Sequence, residues 1–427
     1  RHKHLSRKGV SSRAPALASH VCRGAIVYSD ASVDDARYVI SAARTAAGLG
    51  SLVLTSTKVT GIVHSNGRVS GAEVKCLETG QEFEVSCGTV VNATGVWSGD
   101  IEEYAGGNNS RVRASKGIHL LIPRNRLDLE AGLILRTSQS VLFVIPWDQH
   151  WIVGTTDTDW NLDRAHPAAS RKDIDYLLST LNQVLSTPLG SDDVVGVYAG
   201  LRPLLTGESE QTSKLSREHA VSISTPGLVS ISGGKYTTYR LMASDTIDAV
   251  GIDQDLDLPA SKTASVPLIG AAGYSKVRSE AEKLARDTGL GLNVIDHLIS
   301  RHGDRIGEIL ELISARPDLA DPLVSNHPYL RAEVVHAVRS EAALHLEDVL
   351  TRRTRLSVET WDRGTGPARQ VAELMARELG WGAATIDNEV DHYLRRVESE
   401  RESNTQLDDL TADAMRLGAR DVRRGIS

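Results

Sequence analysis

The chain has 427 residues, which at roughly 150 residues per domain suggests about three domains. Lys and Arg number 48 against 55 Asp and Glu, and the resulting net charge of -7 argues against a broad nucleic-acid-binding face. Hydrophobic residues at 41% and charged residues at 24% exclude a globally disordered or collagen-like chain.

Cys22, Cys76 and Cys87 are too few for a disulfide scaffold and lack metal-ligand spacing. They fit a reducing, cytoplasmic setting, and no metal is expected. No apolar run approaches the ~18 residues needed to span a bilayer. The basic start Arg1-His2-Lys3-His4 has no hydrophobic stretch behind it, unlike a signal peptide.

Residues 1–23 are polar and basic and read as a linker or as the tail of an upstream element. A helix is predicted from Asp34, because Ala36, Val39, Ile40, Ala43 and Ala47 recur at helical spacing. Asp34 and Asp35 suit its first turn, and Gly48 and Gly50 supply its stop. Strands are expected at 51–57 and 59–64. Asn66-Gly67 then signals a two-residue hairpin leading into a return strand at 68–76. Thr79-Gly80 turns again before an alternating strand at 82–86. Thr89 to Gly95 is a short apolar run ending in small residues, the pattern of a buried parallel strand that stops at a ligand.

Residues 111–232 are rich in short strands, predicted at 118–122, 141–145, 151–155, 194–198, 220–223 and 228–231. One helix, 170–185, interrupts them, which suggests an antiparallel sheet with a covering helix. Gly233-Gly234 opens a helix over 237–250. Leu258-Pro259-Ala260 and Pro267 mark a boundary. Beyond it, helices are predicted at 275–287, 294–301, 305–315, 331–341, 346–351, 367–379 and 384–398, followed by a polar tail.

Several stretches could carry chemistry. In Ser232-Gly233-Gly234-Lys235-Tyr236-Thr237-Thr238-Tyr239-Arg240, a strand meets two glycines and a helix start. Glycines admit a ligand close to the backbone, and the helix start presents partial positive charge. A phosphate or the electron-accepting end of a flavin would suit it, and so would an ordinary glycine turn with a Thr cap. Asn92-Ala93-Thr94-Gly95 has the same character. In Gly200-Leu201-Arg202-Pro203-Leu204 an arginine sits between apolar neighbours, where it could bind an anion or stabilise an oxyanion. His119, in Lys116-Gly117-Ile118-His119, could act as a base near neutral pH or be a satisfied structural histidine. Gly154-Thr155-Thr156-Asp157-Thr158-Asp159 reads as a hydroxyl-rich turn better than as a cation loop.

In their order along the chain, these stretches resemble the FAD-dependent, quinone-linked glycerol-3-phosphate dehydrogenase family. The resemblance covers about residues 5–395. It rests on Tyr28 to Arg37 with its Asp34-Asp35-Ala36-Arg37, Val91 to Gly95, Ser115 to Pro123, Phe143 to Trp147, Gly154 to Asp159, Tyr198 to Leu204, Leu215 to His219 and Val229 to Arg240. Glu347 to Leu356 resembles the signature of the family's helical cap. The implied fold is mixed α/β and α+β, a FAD-dependent oxidoreductase fold followed by an all-α C-terminal domain. Its expected parts are the remainder of a Rossmann-like FAD domain (1–110 and 226–262), an antiparallel substrate-binding sheet (111–225), a helical cap (263–400) and a polar tail (401–427).

The implied reaction is oxidation of sn-glycerol 3-phosphate to dihydroxyacetone phosphate, with hydride passing to flavin N5 and electrons to a quinone. Arg202 would stabilise charge on the C2 oxygen, His119 would take the hydroxyl proton, and Lys235 would lie near flavin and substrate. Arg217 is a further candidate for phosphate contact. Flavin contacts are expected from Val59, Asn92, Ala93, Thr94, Gly95, Gly233, Gly234, Lys235, Thr237 and Thr238. A peripheral contact with the cytoplasmic membrane is expected from the lipid-soluble acceptor, and a homodimer is an open option. One part of the family pattern is missing. No Gly-x-Gly-x-x-Gly follows a strand, and Gly48-Leu49-Gly50 follows a helix instead. The resemblance therefore implies that the family's dinucleotide-binding segment would precede Arg1. Two alternatives stand beside the main reading: an oxidase using oxygen in place of quinone, and an inactive, truncated chain unable to hold FAD.

Overall fold

The computed structural model describes residues 2–107, 112–136, 141–205 and 218–423. Along the chain, β1 (Lys3–Ser6), α1 (Arg7–Arg13) and β2 (Gly24–Val27) come first, then α2 (Asp35–Gly48). β3 (Thr57–Ser65), β4 (Arg68–Cys76), β5 (Glu82–Ser86) and β6 (Val90–Asn92) follow, with α3 (Ser98–Tyr104) behind them. The central part holds β7 (Val112–Pro123), β8 (Leu133–Arg136), β9 (Val141–Trp147), β10 (His150–Gly154) and β11 (Thr158–Asp159), then α4 (Arg171–Asn182) and β12 (Gly196–Leu205). β13 (His219–Thr225) and β14 (Leu228–Gly233) lead into α5 (Tyr239–Gln254). The remainder is helical: α6 (Tyr274–Ser279), α7 (Ala281–Thr288), α8 (Leu292–His302), α9 (Ile306–Ala315), α10 (Arg331–Glu341), α11 (Leu356–Glu359), α12 (Ala368–Leu379), α13 (Ala383–Ser403) and α14 (Asp409–Arg416).

These elements gather into two compact units. A sheet unit takes Lys3–Val27, Ser56–Ala264 and the chain from Ser399, and a helical unit takes Tyr28–Thr55 and Ser265–Glu398.

In the sheet unit, the long strand β7 is central. β12 pairs antiparallel along one side of it, from Gly196 opposite Leu121 to Leu205 opposite Val112. β10 and β11 share its other side, and β9 and β8 continue the sheet beyond β10. Strand alternation sends Ile118, Leu120 and Ile122 of β7 to one face, where Trp151, Val153, Val197 and the α4 residues Ile174, Leu177, Leu178 and Leu181 form the core. A second sheet, β13-β14-β6, has β14 parallel to β6, with Val229 opposite Val91 and Ser230 opposite Asn92. A third, β3-β4-β5, is built on the Asn66-Gly67 hairpin. Both turn residues take positive φ, 51° and 74°, as that two-residue turn requires.

In the helical unit, Leu298, Ile309, Val334, Val335, Leu350, Val371 and Met375 share one buried cluster. The Asp34-Asp35-Ala36-Arg37 motif does structural work here. Asp34 caps α2 by accepting from the Arg37 amide at 3.1 Å. It also accepts from Arg355 Nη2 at 2.6 Å. The Arg37 side chain is buried, donating to Glu341 at 2.7 Å and to the carbonyl of Arg301 at 3.2 Å.

Three local readings of the sequence are corrected. Residues 1–23 are not a linker, because β1 and α1 form there, β1 pairs with β2 just beyond, and Ala14 lies in the sheet core. Their apolar residues are few and set among basic ones, so composition hides them. Residues 51–54 form no strand, β3 starts at Thr57, and Leu52 is 94% exposed. The polar stretch after residue 401 carries α14, with Ala412 fully buried.

Candidate active site

The face of the central sheet opposite the α4 core carries His119, Tyr198 and Arg202. Register explains the grouping: Tyr198 lies opposite His119, Gly200 opposite Gly117, and Gly154 opposite His119 from the other side. Glycines clear the floor for the two larger groups. A Cβ at Gly117 would lie 2.7 Å from Arg202 Cζ, and one at Gly154 would lie 2.7 Å from His119 Nε2. The His119 ring stacks on Tyr198 with centroids 5.0 Å apart and planes 15° from parallel. Arg202 Nη1 donates to the Thr156 carbonyl at 3.1 Å, and Nη2 donates to Thr155 Oγ1 at 3.0 Å.

Lys116, one residue before Gly117, faces the opposite way. It is fully buried, with Nζ donating to Asp173 and Asp409, both at 2.6 Å, and lying 4.7 Å over the Trp160 ring. Lys116 is a structural cation, and His119 is the residue of that stretch on the cleared face.

The second half of the site is the pair of parallel strand ends. Asn92, at the end of β6, is buried. Its Nδ2 donates to the Ser98 carbonyl at 3.0 Å and to Ser230 Oγ at 3.3 Å, while its Oδ1 accepts from Thr94 Oγ1 at 2.7 Å. Ser230 in turn donates to Glu102, which also accepts from Ser224 at 2.7 Å. Asn92 thus holds the two strands and the turn after them, leaving Ala93 and Thr94 exposed. Beside this turn, Gly233 and Gly234 take φ of 73° and 85°, and the chain enters a 3-10 turn at Tyr236–Thr238 that continues as α5. Lys235, Tyr236 and Thr237 are exposed at that start. Val59 is half-buried on β3, packed against the cluster of Val69, Ile101 and Leu228. Arg217 lies outside the described residues.

β12 joins the two halves. Pro203 Cγ comes to 3.9 Å of a Cβ built at Gly95, and Leu205 Cγ to 2.8 Å of one built at Gly233. Arg202 therefore sits on a strand that approaches both parallel strand ends. Reading the sequence alone took Thr155 and Thr156 only as part of a hydroxyl-rich turn, and gave no role to Tyr198 or to the His219–Asp245 pair, whose Nε2 and Oδ2 lie 2.7 Å apart behind the double glycine. The available signal was Gly154 followed directly by two hydroxyl residues.

In the helical unit, His302, His336 and Glu341 are buried and close enough together to surround an ion. Arg37 already supplies the cation there, donating to Glu341 and, at 3.3 Å, to His302 Nδ1. Among the described residues no helix is long and apolar enough to cross a membrane.

Residues 1–240 match the family described as FAD dependent oxidoreductase, and residues 261–386 match the C-terminal domain of alpha-glycerophosphate oxidase. Glycerol-3-phosphate dehydrogenase 2 of Mycobacterium tuberculosis is 48% identical over 425 residues, spanning 99% of this chain and 73% of its own length. The human mitochondrial glycerol-3-phosphate dehydrogenase is 34% identical over 393 residues, with 88% of this chain and 54% of the relative covered. The crystal structure of the Bacillus halodurans glycerol-3-phosphate dehydrogenase complexed with FAD superposes with a TM-score of 0.81 at 26% identity, covering 93% of this chain and 78% of that one.

Fold and site together define an FAD-dependent oxidoreductase with an all-helical C-terminal domain. The chain belongs to the FAD-dependent glycerol-3-phosphate dehydrogenase family. The residues present suit the cofactor: two parallel strands end side by side, and a helix start bearing Lys235 follows one of them.

Proposed function

We propose that this protein oxidises sn-glycerol 3-phosphate to dihydroxyacetone phosphate and passes the electrons to a quinone at the membrane surface. The observation that carries the reading is Arg202, its guanidinium laid over Gly117 on the cleared face that also holds His119. Homology to glycerol-3-phosphate dehydrogenases over 99% of the chain supports the choice of substrate.

The reaction removes a hydride from C2 and a proton from its hydroxyl, leaving a carbonyl. Bound FAD supplies the hydride acceptor. His119 takes the hydroxyl proton. Arg202 stabilises the negative charge that grows on the C2 oxygen as the proton leaves, and its planar fork suits that role better than a point charge. Lys235 and Arg217 hold the substrate phosphate. Gly233, Gly234, Thr237 and Thr238, at the positive start of the α5 segment, would hold the cofactor together with Asn92, Ala93, Thr94 and Gly95. Val59, on β3, is a further cofactor contact.

Dye-coupled oxidation of glycerol 3-phosphate by the FAD-loaded protein tests the activity. Arg202→Lys should lower kcat by about ten- to a thousand-fold with FAD still bound. An unchanged kcat removes Arg202 from the chemistry. Hydrogen peroxide formed in step with product would put oxygen in the place of quinone.

A further inference from the structure

The path of Arg202 to its partners crosses a strand. Arg202 belongs to β12, on one side of β7, whereas Thr155 and Thr156 lie beyond the other side of β7, between β10 and β11. The guanidinium bridges the gap by passing over Gly117 of β7, the residue between the two ladders that has no side chain to block it.

The segment it reaches is a bulge. The β10 ladder ends with Gly154 opposite His119, and the β11 ladder begins with Thr158 opposite Lys116. Three residues, 155–157, thus stand against two, 117 and 118. An extra residue of this kind bends a strand locally and re-aims what it carries. Thr156 pins the bulge to β7: its buried hydroxyl accepts from the Ile118 amide at 3.1 Å and donates to the Lys116 carbonyl at 3.5 Å. Ser115 Oγ ties down the far side by donating to Asp157. With its own side chain fixed to β7, Thr156 turns its carbonyl to Arg202 Nη1, and Thr155 offers its hydroxyl to Nη2.

We propose that Thr155 is a positioning residue for Arg202: the bulge holds both arms of the fork, and the Thr155 hydroxyl is a side-chain contact that helps set its angle. This rests on the catalytic reading of Arg202. The hydroxyl accepts from Nη2 and donates onward to the Thr156 carbonyl at 3.3 Å, so the two acceptors that grip the fork also grip each other. Thr155 touches Arg202 and acts through it. Its loss leaves the positive charge in place and frees its direction, which affects the transition state more than substrate binding.

The test uses the FAD-loaded holoenzyme with glycerol 3-phosphate, and dihydroxyacetone phosphate as a binding probe. Thr155→Val keeps the shape and removes the hydroxyl. It should lower kcat by about tenfold, while KM and the dissociation constant for dihydroxyacetone phosphate move by less than about twofold. Thr155→Ser, which restores the oxygen, should return kcat to within about threefold of the parent. In an Arg202→Lys background, Thr155→Val should cost nothing further, because the fork it holds is gone. If Thr155→Val fails to retain FAD, Thr155→Ala is compared with Thr155→Ser instead. Equal losses in both backgrounds, or a serine variant as impaired as the valine one, overturn the proposal. An Arg202→Lys enzyme with full activity overturns the reading of Arg202 and this inference with it. A loss in Arg202→Lys without one in Thr155→Val overturns this inference alone.

Discussion

Arg202 and His119 share a face because two neighbouring positions, Gly117 and Gly154, have no side chain. Neither glycine needs its freedom for a turn, since neither has a positive φ. Both are small because something large lies across them. Gly117→Ala should therefore fold with FAD bound and still lose at least about tenfold in kcat, since a displacement near 1 Å at a positioned group is costly. Steady-state kinetics beside the flavin absorbance check this. The sequence signals the two functional residues only partly. Lys116 and His119 both stood out as polar groups at a strand start, and strand parity separates them. Lys116 shares a face with Ile118 and Leu120, so it belongs to the core side, and His119 to the other. The fork's partners were not legible, because β12 and the bulge are distant in sequence and meet only through register on β7.

At the scale of elements, buried charge pairs hold the joints. Lys116 draws together β7, α4 through Asp173, and α14 through Asp409. Lys116→Met leaves two carboxylates facing each other without their cation and should destabilise the protein by about 3 kcal/mol, read from the urea midpoint. Asp409→Asn should cost less, because that carboxylate is partly exposed and Asp173 retains the lysine. The terminal helix escaped the sequence reading for the same reason: its anchor is an aspartate in a polar stretch.

The helical unit carries a pH-sensitive joint. Burial holds the His302 imidazole down at about 4, against an ordinary 6.5. Arg37 of α2 and Glu333, His336 and Glu341 of α10 face it. Burial alone would raise the Glu341 carboxyl, yet the Arg37 guanidinium outweighs it and brings that group to about 2. Both values are depressed on folding, so both contribute stability at neutral pH that is lost on acidification. For His302 the loss runs from about pH 6.5 down to about 4 and amounts to on the order of 3 kcal/mol. Hydrogen exchange of the α8 and α10 amides, corrected for intrinsic rate, should show it. His302→Gln should flatten the slope in that window.

For the molecule as a whole, the helical C-terminal domain and the strand-rich middle were legible from periodicity, because each is a long run of one period. The assignment of Tyr28–Thr55 to the helical unit was not. Its Asp34 and Asp35 read as helix-start acids, which they are, but their arginine partners lie far along the chain, Arg301 267 residues and Arg355 321 residues from Asp34. Arg37→Met should leave Glu341 buried without its cation and lower the stability of this unit by about 3 kcal/mol, detected by the same amide exchange. Arg37→Lys should recover part of that loss.

The Arg37–Glu341 pair also sets a clock. The two residues are 304 positions apart, and a ribosome adding about 5–20 residues per second needs roughly 15–60 s to pass from one to the other. For that interval α2 exists without the residues that complete its unit, and the Arg37 side chain, buried in the finished fold, has no Glu341 to pair with. The sheet unit is interrupted in the same way, since Ser56–Ala264 emerges before α14 can bring Asp409 to Lys116. Each unit is therefore completed only when nearly the whole chain has left the ribosome, and the growing protein spends longer with its charge pairs unmade than its domain sizes suggest.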